Sequence, residues 1–203
     1  MTIASGADIH HDTVSGQGTV GAWLIHPPSG LRFGLSCNHV VAALGHAQVG
    51  APVYQQGRAV GQVHSHIGLS TAHYNRADAA LFRVPPEAML SWAHPPPVGT
   101  ALPVPGMHVY KVGATTGHTS GRIMDIGRDQ HFRLRGVPLW FENIIAIEGH
   151  GAPFSDHGDS GALLMEAGTH QAVGVLMAMN EHLSFAFPMQ AAGPQLRELR
   201  YAV

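Results

Sequence analysis

Residues 155–164 read SDHGDSGALL, and the reading of Ser160 inside that stretch decides the reading of the whole chain. Glycine and aspartate are ordinary turn formers, so Gly158-Asp159-Ser160-Gly161 taken alone fits a turn between two strands as well as a nucleophile. A serine hydroxyl attacks only when a neighbouring base takes its proton, and that base is usually a histidine oriented by a buried carboxylate. The chain has 16 histidines, so context must select one. In RFGLSCNHVVAAL (32–44) a buried-strand run from Phe33 to Cys37 leads into Asn38 and His39. A short apolar segment then follows, of a length to make one helical turn. His39 therefore stands at a strand end, where a side chain is both held and open to a cleft. In YNRADAALFRV (74–84) Asp78 opens the apolar run Ala79 to Val84, and a carboxylate entering a buried strand requires a partner.

The order His39, Asp78, Ser160 is one of the chain orders in which this constellation occurs, and the separations leave room for one small barrel and most of a second. At these residues the chain resembles the chymotrypsin-like (trypsin-like) serine peptidases. SCNHVVAA (36–43) is similar to the family's histidine segment, RADAALFRV (76–84) to its aspartate segment and SDHGDSGALL to its serine segment. VYKVGATTGHTSGRI (109–123) resembles the opening hairpin of the second barrel in bacterial secreted members such as the streptogrisins and alpha-lytic protease. QAVGVLMAMN (171–180) followed by SFAFPM (184–189) is similar to the strands that wall the specificity pocket.

The resemblance implies a serine endopeptidase acting on a polypeptide substrate, with no cofactor and no metal. In it Ser160 is the nucleophile, His39 the general base and Asp78 its orienting carboxylate, with an oxyanion hole made by the backbone N–H groups of Gly158 and Ser160. Asp159 becomes a structural aspartate of the serine loop. Zymogen-activated relatives pair that aspartate with a newly cut amino terminus; nothing near residue 17 reads as such a processing site, so another group is expected to hold it. The pocket residues are Phe154, Ser155, His157, Met177, Ala178 and Met179. Phe154 stands six residues before the serine, where trypsin-type enzymes carry an aspartate, so Arg or Lys preference is not supported, and the two methionines favour small or apolar side chains.

Alternating apolar positions broken by turn residues describe an all-β chain. TVGAWLIH, LRFGLSCNH, APVYQQGRAVGQVHSHI and DAALFRV form one set of strands; MHVYKVG, TSGRIMDIG, HFRLRGV, LWFENIIAIEG, SGALLME, AVGVLMAM and SFAFPM form another. The expected architecture is two six-stranded antiparallel β-barrels of the chymotrypsin type with a short C-terminal helix. Its divisions are an N-terminal extension (1–16), a first barrel carrying His39 and Asp78 (17–92), a Pro-rich linker (93–106) and a second barrel carrying Ser160 (107–203). The linker prolines cannot sit in central strands.

Bulk properties narrow the partners. The formal net charge is −2 and Lys and Arg together number 11 without clustering, which argues against nucleic acid and anionic membrane. Residues 1–12 have neither a basic start nor an apolar stretch, no later run spans a bilayer, and Cys37 is the single cysteine. A reducing, cytoplasmic setting is the simplest reading, although a chain lacking its leader would look the same. A protease there is expected to need narrow specificity or a protein activator or inhibitor. Cys37 next to His39 reads as a buried thiol, and His64 with His66 lack the further ligands a metal site needs. Two other functions use the same residues: an inert fold that binds a peptide or partner strand, and a serine esterase or thioesterase.

Overall fold

The structure, a computed structural model, describes residues 2–12 and 17–202, the side chain of Pro194 excepted. The first half of the chain supplies β1 (Thr2–Ala4), β2 (Asp8–His11), β3 (Gly18–Thr19), β4 (Ala22–His26), β5 (Leu31–Ser36), β6 (Pro52–Gln55), β7 (Arg58–His66), β8 (Ala80–Arg83) and β9 (Met89–Ser91). A single helical turn, α1 (Asn38–Val41), leaves β5. The second half supplies β10 (His108–Gly113), β11 (Gly117–Leu134), β12 (Val137–Gly149), β13 (Leu163–Glu166), β14 (Ala172–Met179) and β15 (Ser184–Pro188). Another single turn, α2 (Gly193–Leu196), and β16 (Arg200–Tyr201) complete it. No helix among the described residues is long and apolar enough to cross a membrane.

β10 to β15 close into a six-stranded antiparallel barrel in the order β10-β11-β12-β15-β14-β13. The first half forms an antiparallel sheet of eight strands in the order β16-β4-β5-β8-β7-β6-β2-β3. The count of six thus describes the second unit, and the first is larger because both chain ends add strands to it. β2, from the segment read as an N-terminal extension, pairs with β6 and β3, while β1 runs parallel to β9. β16 pairs with β4, carrying the C-terminus back to the first unit. It is held there by Trp92 Nε1 donating to the Ala202 carbonyl (2.9 Å) and by Tyr201 packing edge-on to Trp92 (6.5 Å).

The ring of Phe82 centres the first core. It is fully buried, meets Trp23 edge-on at 6.1 Å, and lies against Gly34 of β5 and Gly61 of β7. A Cβ at either glycine would collide with that ring, which explains two glycines inside strands where they otherwise weaken the ladder. Val109, Ile123, Ile145, Ile147, Leu164 and Leu176 belong to the separate core inside the second barrel.

The segment read as three strands, TSGRIMDIG, HFRLRGV and LWFENIIAIEG, is two long ones. β11 pairs with β10 only as far as Arg122, and beyond it β11 and β12 project as a hairpin. Register shifts between Ile123 and Gln130, with Gly127 at φ +72°, absorb the polar interruption without ending the pairing. The hairpin crosses to the first unit. Asn75 N–H donates to the Trp140 carbonyl and Glu142 N–H to the Asn75 carbonyl, both at 2.9 Å. Arg135, beside its tip, donates from Nε to the His39 carbonyl.

Phe82→Ala should cost about 3–5 kcal/mol of stability, the range for emptying a buried aromatic site. Denaturant unfolding measures it, and a loss under about 1 kcal/mol would mean that the two glycine-lined walls collapse onto the cavity.

Candidate active site

β5 and α1 fix His39 from below. Ser36 Oγ donates to the Thr19 carbonyl (2.7 Å) and the Cys37 thiol to the Leu176 carbonyl (3.2 Å), tying the strand end to β3 and to the second barrel. Asp78 lies just before β8, fully buried. Its backbone carbonyl accepts from Asn38 N–H (3.2 Å), its Oδ1 from His39 N–H (3.0 Å) and its Oδ2 from His39 Nδ1. A carboxylate accepts only, so this pairing assigns the ring proton to Nδ1 and leaves Nε2 as the basic nitrogen.

Ser160 lines the same cleft as His39. Its carbonyl accepts from Thr19 N–H (2.7 Å), and its hydroxyl donates to the Met177 carbonyl (3.2 Å). The N–H groups of Gly158 and Ser160 have no acceptor among the described residues and border the same cleft. The cleft holds about 1500 Å³, and Ser155, His157, Ala178 and Met179 line it together with His39 and Ser160. Met177 lines it too, though its side chain is buried.

Phe154 does not line the cleft. Its ring is 2% exposed and belongs to the core of the second barrel, because an aromatic side chain gains more from that apolar interior than from a wet pocket. Only its carbonyl, accepting from Thr119 Oγ1 (2.6 Å), faces a polar group. The buried polar pair beside the cleft is Ser155 and Ser184, whose hydroxyls lie 2.6 Å apart.

Asp159 is fully buried and fully satisfied. Thr115 N–H (2.9 Å) and Thr116 N–H (3.1 Å) donate to Oδ1, while Asp156 N–H (3.0 Å) and the Thr116 hydroxyl (2.7 Å) donate to Oδ2. The Lys111 ammonium, equally buried, reaches Oδ2 at 3.1 Å and spends its other protons on Thr116 Oγ1 and the Gly117 carbonyl. Lys111 is therefore the cationic partner of a carboxylate that Thr115, Thr116 and Asp156 also hold. A sequence signal marked it: it is the only lysine in 203 residues and stands in the apolar strand VYKVG. Burial pushes the Asp159 carboxyl up, but the hydrogen bonds from Thr116, Asp156 and Thr115 and the Lys111 charge outweigh it. The net result lies below its ordinary value.

Among the described residues, one trio of potential metal ligands converges, Cys37, His39 and Asp78, with ligand atoms within 4.8 Å of one another. Burial pushes the Cys37 thiol well up, and the Asp78 charge adds to the effect. It stays protonated and is a poor ligand. His64 tilts against Phe33 (4.7 Å) and His66 faces Asn38 Nδ2 (3.4 Å), so the two imidazoles of HSH serve different neighbours.

No protein-family model and no curated protein sequence matches the chain. Solved structures do. Protease A of Thermobifida fusca superposes with a TM-score of 0.71 at 16% identity, and Nocardiopsis protease with 0.73 at 18%, each over 100% of both chains. Chymotrypsin of Cellulomonas bogoriensis gives 0.67 at 18%, over 100% of this chain and 99% of its own. The chain has the fold of the bacterial chymotrypsin-like serine proteases.

Lys111→Met should destabilise by about 3–5 kcal/mol, because it strands the Asp159 charge in the interior. The double variant with Asp159→Asn should lose less than the sum of the two single losses. Because the folded pKa of Asp159 is depressed, its contribution is complete above the unfolded value of ~3.9 and fades as pH falls through the folded value. Wild type should lose stability on acidification below pH ~4 more steeply than Asp159→Asn. Equal slopes in pH-dependent unfolding would assign the acid loss to other carboxylates.

Proposed function

We propose that the protein is a serine endopeptidase that hydrolyses peptide bonds through an acyl-enzyme. The observation that carries this reading is the fully buried Asp78 carboxylate on His39 Nδ1 at the edge of a cleft shared with Ser160. Ser160 Oγ attacks the scissile carbonyl as His39 Nε2 takes its proton. Asp78 keeps the imidazole in the right tautomer and stabilises its charged form, and His39 then passes the proton to the leaving amine. The N–H groups of Gly158 and Ser160 stabilise the oxyanion, each worth about 10²–10³ in rate. Water repeats the sequence on the acyl-enzyme with His39 again as base. Substrate backbone adds to the edge near Ala178 and Met179. The half-buried Met179 and the Ser155–Ser184 pair support small or apolar side chains before the scissile bond. A single free, buried cysteine supports a reducing compartment.

The Ser160 hydroxyl bond to Met177 favours a second reading, an inert fold that binds a peptide. Incubation with a fluorophosphonate probe, with the adduct located by peptide mass, separates the two. The peptidase should be labelled on Ser160 and lose labelling in Ser160→Ala and His39→Ala. Asp78→Asn should cost about 10⁴-fold in kcat by imposing the wrong tautomer. An unlabelled wild type that cleaves neither a peptide amide nor the matching ester would establish the inert reading. Cleavage of the ester alone would make it an esterase.

A further inference from the structure

The oxyanion hole depends on which way one peptide faces. In a trans peptide the carbonyl and the N–H point in opposite directions, so whatever holds the His157 carbonyl also sets the direction of the Gly158 N–H. Thr115 Oγ1 donates to that carbonyl at 2.6 Å. The next peptide is held in the same manner from the other unit, Thr19 Oγ1 on β3 donating to the Gly158 carbonyl at 2.8 Å.

Both hydroxyls are themselves anchored. Thr19 Oγ1 accepts from Ala114 N–H (3.0 Å) while its single proton goes to the Gly158 carbonyl. Thr115 is fixed by its own N–H on Asp159 Oδ1 (2.9 Å). Gly158, at φ +102°, is the residue about which the peptide would turn, and a Cβ there would collide with Thr115 Oγ1. Glycine supplies the conformation but, having no side chain, imposes no barrier to leaving it.

We infer that Thr115 is a positioning residue that clamps the His157–Gly158 peptide with its N–H toward the substrate carbonyl. The hole is then assembled in the chain as it stands, without a cut amino terminus or an activator protein. The inference rests on the peptidase reading and adds to it the part that keeps the site competent at rest. Without the Thr115 hydroxyl, the carbonyl of residue 157 is free to rotate into the cleft and remove one of the two donors.

Thr115→Val keeps the branched shape and removes the donor, while Thr115→Ser restores it. Thr115 is exposed, so the valine variant should unfold at the wild-type temperature. Its kcat on a peptide ester should fall by about 10-fold with KM unchanged, short of the loss of a whole donor. The rate of fluorophosphonate labelling should fall in parallel and serine should recover both. Wild-type kcat in the valine variant, or a loss that serine does not recover, would overturn the clamp. A wild type that neither labels nor hydrolyses overturns the peptidase reading instead. The clamp is then judged by crystal structures of wild type and Thr115→Val: a His157 carbonyl that turns only in the variant supports it, and the same orientation in both overturns it.

Discussion

A charge that water cannot reach has to be answered by the chain itself, and the buried Asp159 carboxylate is the charge around which this structure is arranged. Four protein donors and the Lys111 ammonium converge on it. Satisfying it draws the turn after β10, with Thr115 and Thr116, against the loop that carries Ser160. Ser160, the Gly158 peptide and the cleft wall at His157 then share one surround, tied together through the carboxylate and the ammonium.

His39 with its partner Asp78 comes from the first unit and Ser160 from the second, so the cleft that His39 and Ser160 line exists only while the two units are joined. β3 supplies the join on one side: Thr19 N–H on the Ser160 carbonyl and Thr19 Oγ1 on the Gly158 carbonyl. The long β11–β12 hairpin supplies it on the other, reaching Asn75 on the approach to Asp78 and the His39 carbonyl at its tip. Asp78 and His39 are thus braced from the second barrel, and Gly158 and Ser160 from the first. Reciprocal bracing of this kind fixes donors and acceptors in place before any ligand is present.

Different parts of this design were legible to different degrees. The strands of both units, and a carboxylate at Asp78 that needs a partner, follow from alternation, turn residues and local context, which are properties of neighbours in the chain. The length of the β11–β12 hairpin was not legible, since the polar run from Arg128 to Gln130 reads as a break. Pairing through irregular register is visible only when both strands are present. Phe154 misled for a related reason: its distance from Ser160 matches a pocket residue, yet backbone direction turns its ring into the barrel core.

The sequence by itself determined an all-β chain of two units and the presence of one lysine that an apolar strand has to accommodate. Tertiary structure decided what that lysine answers, which threonines bind the His157 and Gly158 carbonyls, and that both chain ends return to the first sheet. Local pattern encodes which face of a strand is buried, but the partner of a buried charge or the orientation of a single peptide is set by atoms distant in the chain. Forty-eight residues separate Lys111 from Asp159, and 139 separate Thr19 from Gly158; only folding brings each pair within hydrogen-bonding distance.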